Sequence, residues 1–364
     1  MFRDARTVAP HLPAPPAHPP GFWQRASSYP RPLTPFATEW LVPAHNRSSK
    51  AALAVMSAMI DRVELREIEG YIYRRTVLFG PQQAPSALAR PIARFVLRIR
   101  PSTRKRLDGA LRVMRDRAYM ELLDRWDSHF KSRLIGEIDR LGDIPLGSVD
   151  DRSLDAHADA VLRLALEGSR LHEQVRAAAW ITVGRFISNC GTSLSYDAER
   201  CLALINTAGE EPNQVMQTAR QALPETARTG CDEQRATAGR AATARSDSYL
   251  LAIERPLTLG RAVLMEIGRR MCERHQLNAT EDAEFLSIDE ARAALRDGTR
   301  RQETVGARRS AWKQESGRQP TETFGERPGG PPSQLYPRDV REMTAALLLG
   351  FRVLESEPSR SGGE

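Results

Sequence analysis

His172, Arg176 and Trp180 follow one another at single helical turns, so a helix through them would place all three on one face. Their polar tips lie beside small residues that leave room, an arrangement that suits a ligand pocket. A histidine among apolar neighbours is otherwise a core residue satisfied by one hydrogen bond. Tyr71 and Tyr73 are the second pair of candidates, because flat amphipathic rings can line a pocket; packing of a hairpin on helices explains them equally well. The remaining patterns stop short of chemistry. His172-Glu173 begins like the zinc motif HExxH, but its fifth position is Arg176, so the two-histidine metal face is missing. No GxSxG turn is present, and no glycine-rich loop that would cradle phosphates. The run RFVLRIRPSTRKR, Arg94 to Arg106, is the densest basic cluster; its apolar interruptions favour a solvated helix junction over a phosphate site. Cys190, Cys201, Cys231 and Cys272 have no CxxC spacing and read as free thiols of a reducing cytoplasm. No residue is therefore assigned a catalytic or metal-binding role.

The elements that must hold these side chains follow from periodicity. The chain has 364 residues, 41% hydrophobic and 27% charged, with a formal net charge of +7, which is ordinary for a globular protein able to bury a core. Lysine stands only at Lys50, Lys105, Lys131 and Lys313, so arginine carries almost all of the positive charge. Acids are interleaved with it, which favours a solvated surface over a nucleic-acid face. No run approaches the roughly 20 apolar residues of a membrane span, and the N-terminus lacks the apolar core of a secretory signal. A membrane is not expected as a partner, and the expected location is the cytoplasm.

The spacing predicts a mainly α protein. Residues 1–20 are proline-rich and expected to be disordered. A helix begins after Pro35, through Phe36, Trp40 and Leu41. Two β-rich runs about Gly70, within 63–79, predict a small hairpin or two short strands. The stripe from Leu107 to Leu141 predicts one amphipathic helix of about ten turns. The stripe from Leu154 to Phe186 predicts a second, which carries His172, Arg176 and Trp180. Shorter helices are expected at 198–205 and 212–223, while 225–248 is weakly patterned. A helix kinked at Pro256 leads into Leu264, Ile267 and Met271, with Asn278 suited to a left-handed end. Glu281 to Leu286 reads as a short extended piece. Ser287 and Glu290 form a capping box for the next helix. A basic-polar helix at 299–316, a proline-glycine linker at 317–337, a last short helix within 338–356 and a disordered tail at 357–364 complete the chain. Residues 21–316 form the expected helical domain.

The wording of these elements resembles one family. GRAVLMEIGRRMCERHQLNATEDAEFLSIDEARAAL, from Gly260 to Leu295, is similar to a phrase that precedes the phosphohistidine domain of phosphoenolpyruvate-utilising phosphotransferases. These include phosphoenolpyruvate synthase and rifampicin phosphotransferase. GFWQRASSYPRPLTPF, from Gly21, resembles the phrase that follows their ATP-grasp domain; EIEGYIY, from Glu67, resembles their EINGYVY; and GEEPNQVMQTARQAL, from Gly209, is a looser likeness.

The resemblance covers about Gly21 to Leu354 and implies the family's central, helical, substrate-binding domain. It implies no cofactor in this chain, because ATP and magnesium would belong to the ATP-grasp domain. The phosphorylated histidine would lie in a further domain, in a phrase like GGxLSHxAIVARE. None of His11, His18, His45, His129, His157, His172 and His275 stands in such a phrase. The chain thus reads as beginning after one catalytic domain and stopping before the other. The expected partners are a small apolar acceptor molecule and separate ATP-grasp and phosphohistidine polypeptides. Two other classes remain open: a non-catalytic helical protein-interaction scaffold derived from such an enzyme, and an arginine-rich nucleic-acid binder.

Overall fold

The structure, a computed structural model, describes residues 19–79, 86, 88–191, 197–206, 217–218, 221–327 and 333–356. It is mainly helical, with one small antiparallel sheet. Its helices are α1 (Pro35–Met56), α2 (Arg90–Ile99), α3 (Pro101–Arg115), α4 (Ala118–Arg125), α5 (Lys131–Gly142), α6 (Asp151–Phe186), α7 (Ala198–Asn206), α8 (Glu225–Tyr249), α9 (Arg255–Glu273), α10 (Ile288–Asp297), α11 (Gln302–Ser316) and α12 (Arg338–Ser356). No helix among the described residues is long and apolar enough to cross a membrane.

Helix α6 is the axis on which the others pack. Asp150 caps it, its carboxylate accepting the Ser153 backbone N–H at 2.7 Å. Its second half, from Ala177 to Gly184, is buried on every face, because α1, α8 and α12 surround it. The closest approach is to α12. A methyl group built on Gly184 would overlap the Ala346 carbonyl, and one on Gly350 would overlap the Trp180 carbonyl. The two backbones therefore touch directly, which only glycine permits.

The hairpin stands as the alternation implies, and the sheet is larger. Strands β2 (Ile60–Ile68) and β3 (Tyr71–Leu78) pair antiparallel across the two-residue turn Glu69-Gly70. Both turn residues have positive φ, as a primed hairpin turn requires. Strand β1 (Trp23–Arg25) pairs with β3, and β4 (Thr323–Phe324) with β1, in the order β2-β3-β1-β4. The proline-glycine segment 317–337 thus contributes an edge strand, and its residues 328–332 lie outside the described ones.

Several elements differ from the periodicity. The stripe from Leu107 to Leu141 is three helices, not one: the chain breaks at Arg117, whose φ is 51°, and passes through a π turn at Trp126–Phe130. The breaks shift the buried side: before the π turn Ala110, Val113, Tyr119 and Leu123 are buried, each one position from Leu111, Met114, Ala118 and Leu122 of the stripe, and from Trp126 to Leu141 the stripe itself is buried. The weakly patterned stretch 225–248 is the 25-residue helix α8. It buries Ala238, Gly239, Ala241, Ala244 and Ser248, small residues that carry little amphipathic contrast. Helix α9 ends at a left-handed His275, φ 56°, and not at Asn278. Thr280–Phe285 is a 3-10 helix and not extended.

The capping box is formed: Glu290 N–H donates to Ser287 Oγ at 3.0 Å, and Ser287 N–H to Glu290 Oε2 at 2.9 Å. The expected disorder at 1–20, apart from residues 19 and 20, that at 357–364, and most of the helix expected at 212–223 fall outside the described residues.

Candidate functional site

Between α6, α1, the sheet and the far ends of α8 and α12 lies a chamber of about 660 Å³. That is within the usual range for small-molecule sites, roughly 300–1,000 Å³. Each wall has a local reason. Helix α1 turns Trp40, Leu41 and Ala44 inward, after Thr34 caps its N-terminus. The sheet contributes Val63 and Leu65 from β2 and Arg74 from β3. Helix α8 runs into a π turn at Leu250–Glu254 before Pro256 starts α9, and this turn aims Tyr249, Ala252 and Ile253 at the chamber. Helix α12 closes it with Phe351, Leu354 and Glu355.

One end of the chamber is charged. Glu355 Oε1 accepts from Arg245 Nη2 at 3.1 Å and from the indole N–H of Trp180 at 3.3 Å, while Arg74 Nη1 stands 3.6 Å from Oε2. Burial alone would raise this carboxyl, but the guanidinium groups of Arg176, Arg245 and Arg74 outweigh it and hold it at about 2. Glu173 repeats the pattern. Burial pushes its carboxyl up, and Arg176 at 2.7 Å and His45 at 3.1 Å bring it down to about 2. Arg74 and Arg176 also lie over the rings of Phe351 and Trp180, at 5.1 and 4.7 Å from the centroids.

Donors exceed acceptors here. Three guanidinium groups face two carboxylates, and the Nε–H of Arg74, of Arg176 and of Arg245 is buried with no hydrogen-bond partner among the described residues. The two other acids of the lining are quieter. Asp247 is paired with Lys131 at 2.5 Å, and burial raises the carboxyl of Glu254.

His172 is neutral in this setting, because burial pushes its pKa down to about 3. Its tautomer follows from its neighbour. Ser248 Oγ gives its one proton to the Arg245 carbonyl at 2.8 Å, so the 2.9 Å contact with His172 must be donated by Nδ1–H. Nε2 is left as an acceptor. The Tyr249 ring stands edge-on to the imidazole at 5.7 Å, and burial raises its phenol to about 12.

The structure brings His172 and Arg176 together on the chamber wall. Trp180 lies behind it, pinned between Glu355 and Phe351 with 1% of its surface exposed. Tyr71 and Tyr73 do not join them. Alternation along β3 turns both to the opposite face, into a cluster with Trp23, Ile68 and Phe324, and their hydroxyls donate to the carbonyls of Arg318 and Thr321. The next residue on the inward face, Arg74, is the one that reaches the chamber. The basic run Arg94 to Arg106 crosses the junction of α2 and α3 and does not converge on the site. Arg106 is spent on Asp61 and on the Phe79 ring, and Arg94 on the Gln334 carbonyl. Among the described residues no group of three or more histidine, cysteine or carboxylate side chains could hold a metal ion.

Sequence reasoning missed Arg74, Arg245, Glu355 and His45, each an ordinary polar residue on its own element. The fold and the site together define a mainly helical protein with a ligand-sized chamber between α6, α1 and the sheet, lined by apolar side chains and charged at one end. No protein-family model, curated protein or solved structure matches this chain.

Proposed function

We propose that this chain is the acceptor-recognition part of a phosphotransferase of the phosphoenolpyruvate synthase and rifampicin phosphotransferase type. The observation that carries the reading is the chamber, whose apolar walls end in a few fixed polar groups, as small-molecule sites do. The sequence phrases at Gly21, Glu67 and Gly260 supply the family. The chemistry of phosphate transfer would come from separate ATP-grasp and phosphohistidine polypeptides, and ATP and magnesium would bind there. In this role the chain's own residues position. Arg74 and Arg245 fix Glu355, His45 and Arg176 fix Glu173, and His172 Nε2 offers a ligand hydroxyl an acceptor. At a pKa of about 3, His172 is a hydrogen-bond partner and a poor general base at neutral pH.

The test has two stages. Small apolar compounds carrying a hydroxyl group are screened for a rise in the thermal midpoint of the full chain. Saturation at a hundredfold excess over Kd is worth about 2.7 kcal/mol. Compounds that bind are then incubated with the chain, separately made ATP-grasp and phosphohistidine polypeptides of a related enzyme, and radiolabelled ATP. Labelled compound formed only when this chain is present is the expected result. Binding without label leaves recognition and removes the phosphotransferase. The other reading, a protein-interaction scaffold, would use the apolar side chains that α2 exposes, Ile92, Phe95 and Ile99, and not the chamber.

A further inference from the structure

The charged end of the chamber has a chemical consequence for what fits inside. We infer that the ligand carries an anionic group, a carboxylate or a comparable oxyanion, set against Arg74, Arg176 and Arg245, with its apolar body along Trp40, Leu41 and Ile253. This deepens the recognition reading and rests on the chamber being a ligand site.

Three observations combine. The guanidinium groups outnumber the carboxylates they hold: Arg245 and Arg74 converge on Glu355, and Arg176 on Glu173. The acids are already committed, since each also accepts from a neutral or imidazole donor, Trp180 Nε1 for Glu355 and His45 Nδ1 for Glu173. None of the three guanidinium groups is saturated by the protein, since the Nε–H of each lacks a hydrogen-bond partner among the described residues. An anion with several acceptor oxygens is the group that pairs with the guanidinium N–H that these two carboxylates leave over. His172 adds an acceptor on the adjoining wall, so a hydroxyl or N–H next to the anionic group has a partner as well.

Two dyes with one skeleton isolate the anionic group: anilinonaphthalene sulfonate, and N-phenylnaphthylamine, which lacks the sulfonate. Both are titrated by fluorescence against the full chain. The expected result is a sulfonate affinity at least about tenfold above that of the neutral amine, the least that one hydrogen bond to a charged group contributes. Arg245→Met should lower the ratio of sulfonate to amine affinity. Equal affinities for the unaltered chain overturn the inference and leave the chamber as an apolar site. A sulfonate preference that Arg245→Met leaves unchanged also overturns it. Binding of neither dye overturns this inference and the recognition reading together.

Discussion

Arg245 Nη2 meets Glu355 Oε1 at 3.1 Å across 110 positions of sequence. The contact joins the end of α8 to the end of α12 over the chamber, and Arg74 reaches the same carboxylate from the sheet. One side chain thereby ties together three elements that share no sequence neighbourhood. The ends of these elements, and with them the shape of the chamber, depend on it.

Glu355→Ala should therefore be severe. It leaves Arg74 and Arg245 without their carboxylate in a buried setting, where breaking a pair costs about 3–5 kcal/mol. Glu342→Ala, which removes an exposed partner of Arg338 on the same helix, should change stability by about 0.5 kcal/mol or less. Urea unfolding of the two variants beside the parent measures both. Equal effects would remove Glu355 from its structural role.

The glycine contact between α6 and α12 gives an opposite pair. Gly350→Ala would drive a methyl group into the Trp180 carbonyl, which is backbone and has little room to move. It should cost about 2 kcal/mol or more, despite the gain of about 1 kcal/mol in helix propensity. Gly306→Ala on α11 meets nothing within 4 Å and should stabilise by about 0.5–1 kcal/mol. Thermal unfolding separates the two by sign.

His172 makes stability depend on pH in a stated direction. Its pKa falls from 6.5 to about 3 on folding, so the unfolded chain binds the proton first. The stabilisation is complete above pH 6.5 and is lost as the pH falls toward 3, by up to about 1.4 kcal/mol per pH unit. Glu173 and Glu355, ordinarily near 4.5, add their own loss only below that value. His172→Gln should flatten the slope between pH 6.5 and about 5. An unchanged slope would mean that His172 is not held neutral.

Much of this architecture is legible in sequence, and the reasons for the rest are physical. Helix α6 is plain because Leu154, Val161, Val175 and Phe186 are large and recur at helical spacing. Helix α8 is hidden because its buried side is Ala238, Ala241, Ala244 and Ser248, where helix packing selects for small size and not for apolarity. The site divides in the same way. His172 and Arg176 show as polar interruptions of an apolar stripe, a local signal. Arg74, Arg245 and Glu355 look like any other charged residue until the topology sets them around one carboxylate. Tyr71 and Tyr73 mislead because aromatic character alone does not say which face of a strand is inward, and here Ile72 and Arg74 face the helices.

Incubated alone with radiolabelled ATP or phosphoenolpyruvate, the chain should take up no acid-labile label. Phosphoryl transfer needs preorganised positive charge about the phosphates and a nucleophile, and the sequence has neither a glycine-rich phosphate cradle nor a histidine in the phosphohistidine phrase. Label that vanishes when one of the seven histidines is replaced would contradict this.

The most direct test of the account is to fill the chamber and ask whether binding stops. Ala165 lies on its α6 wall, and Ala165→Phe would place a ring in the open space without touching the charged end. N-phenylnaphthylamine is titrated by fluorescence against the parent and this variant, with thermal midpoints recorded for both. The account predicts an affinity at least about tenfold weaker for the variant, with a midpoint equal to or above the parent's, because added carbons gain contacts in an unfilled cavity. Equal affinities in two folded proteins would place the ligand outside the chamber and contradict it.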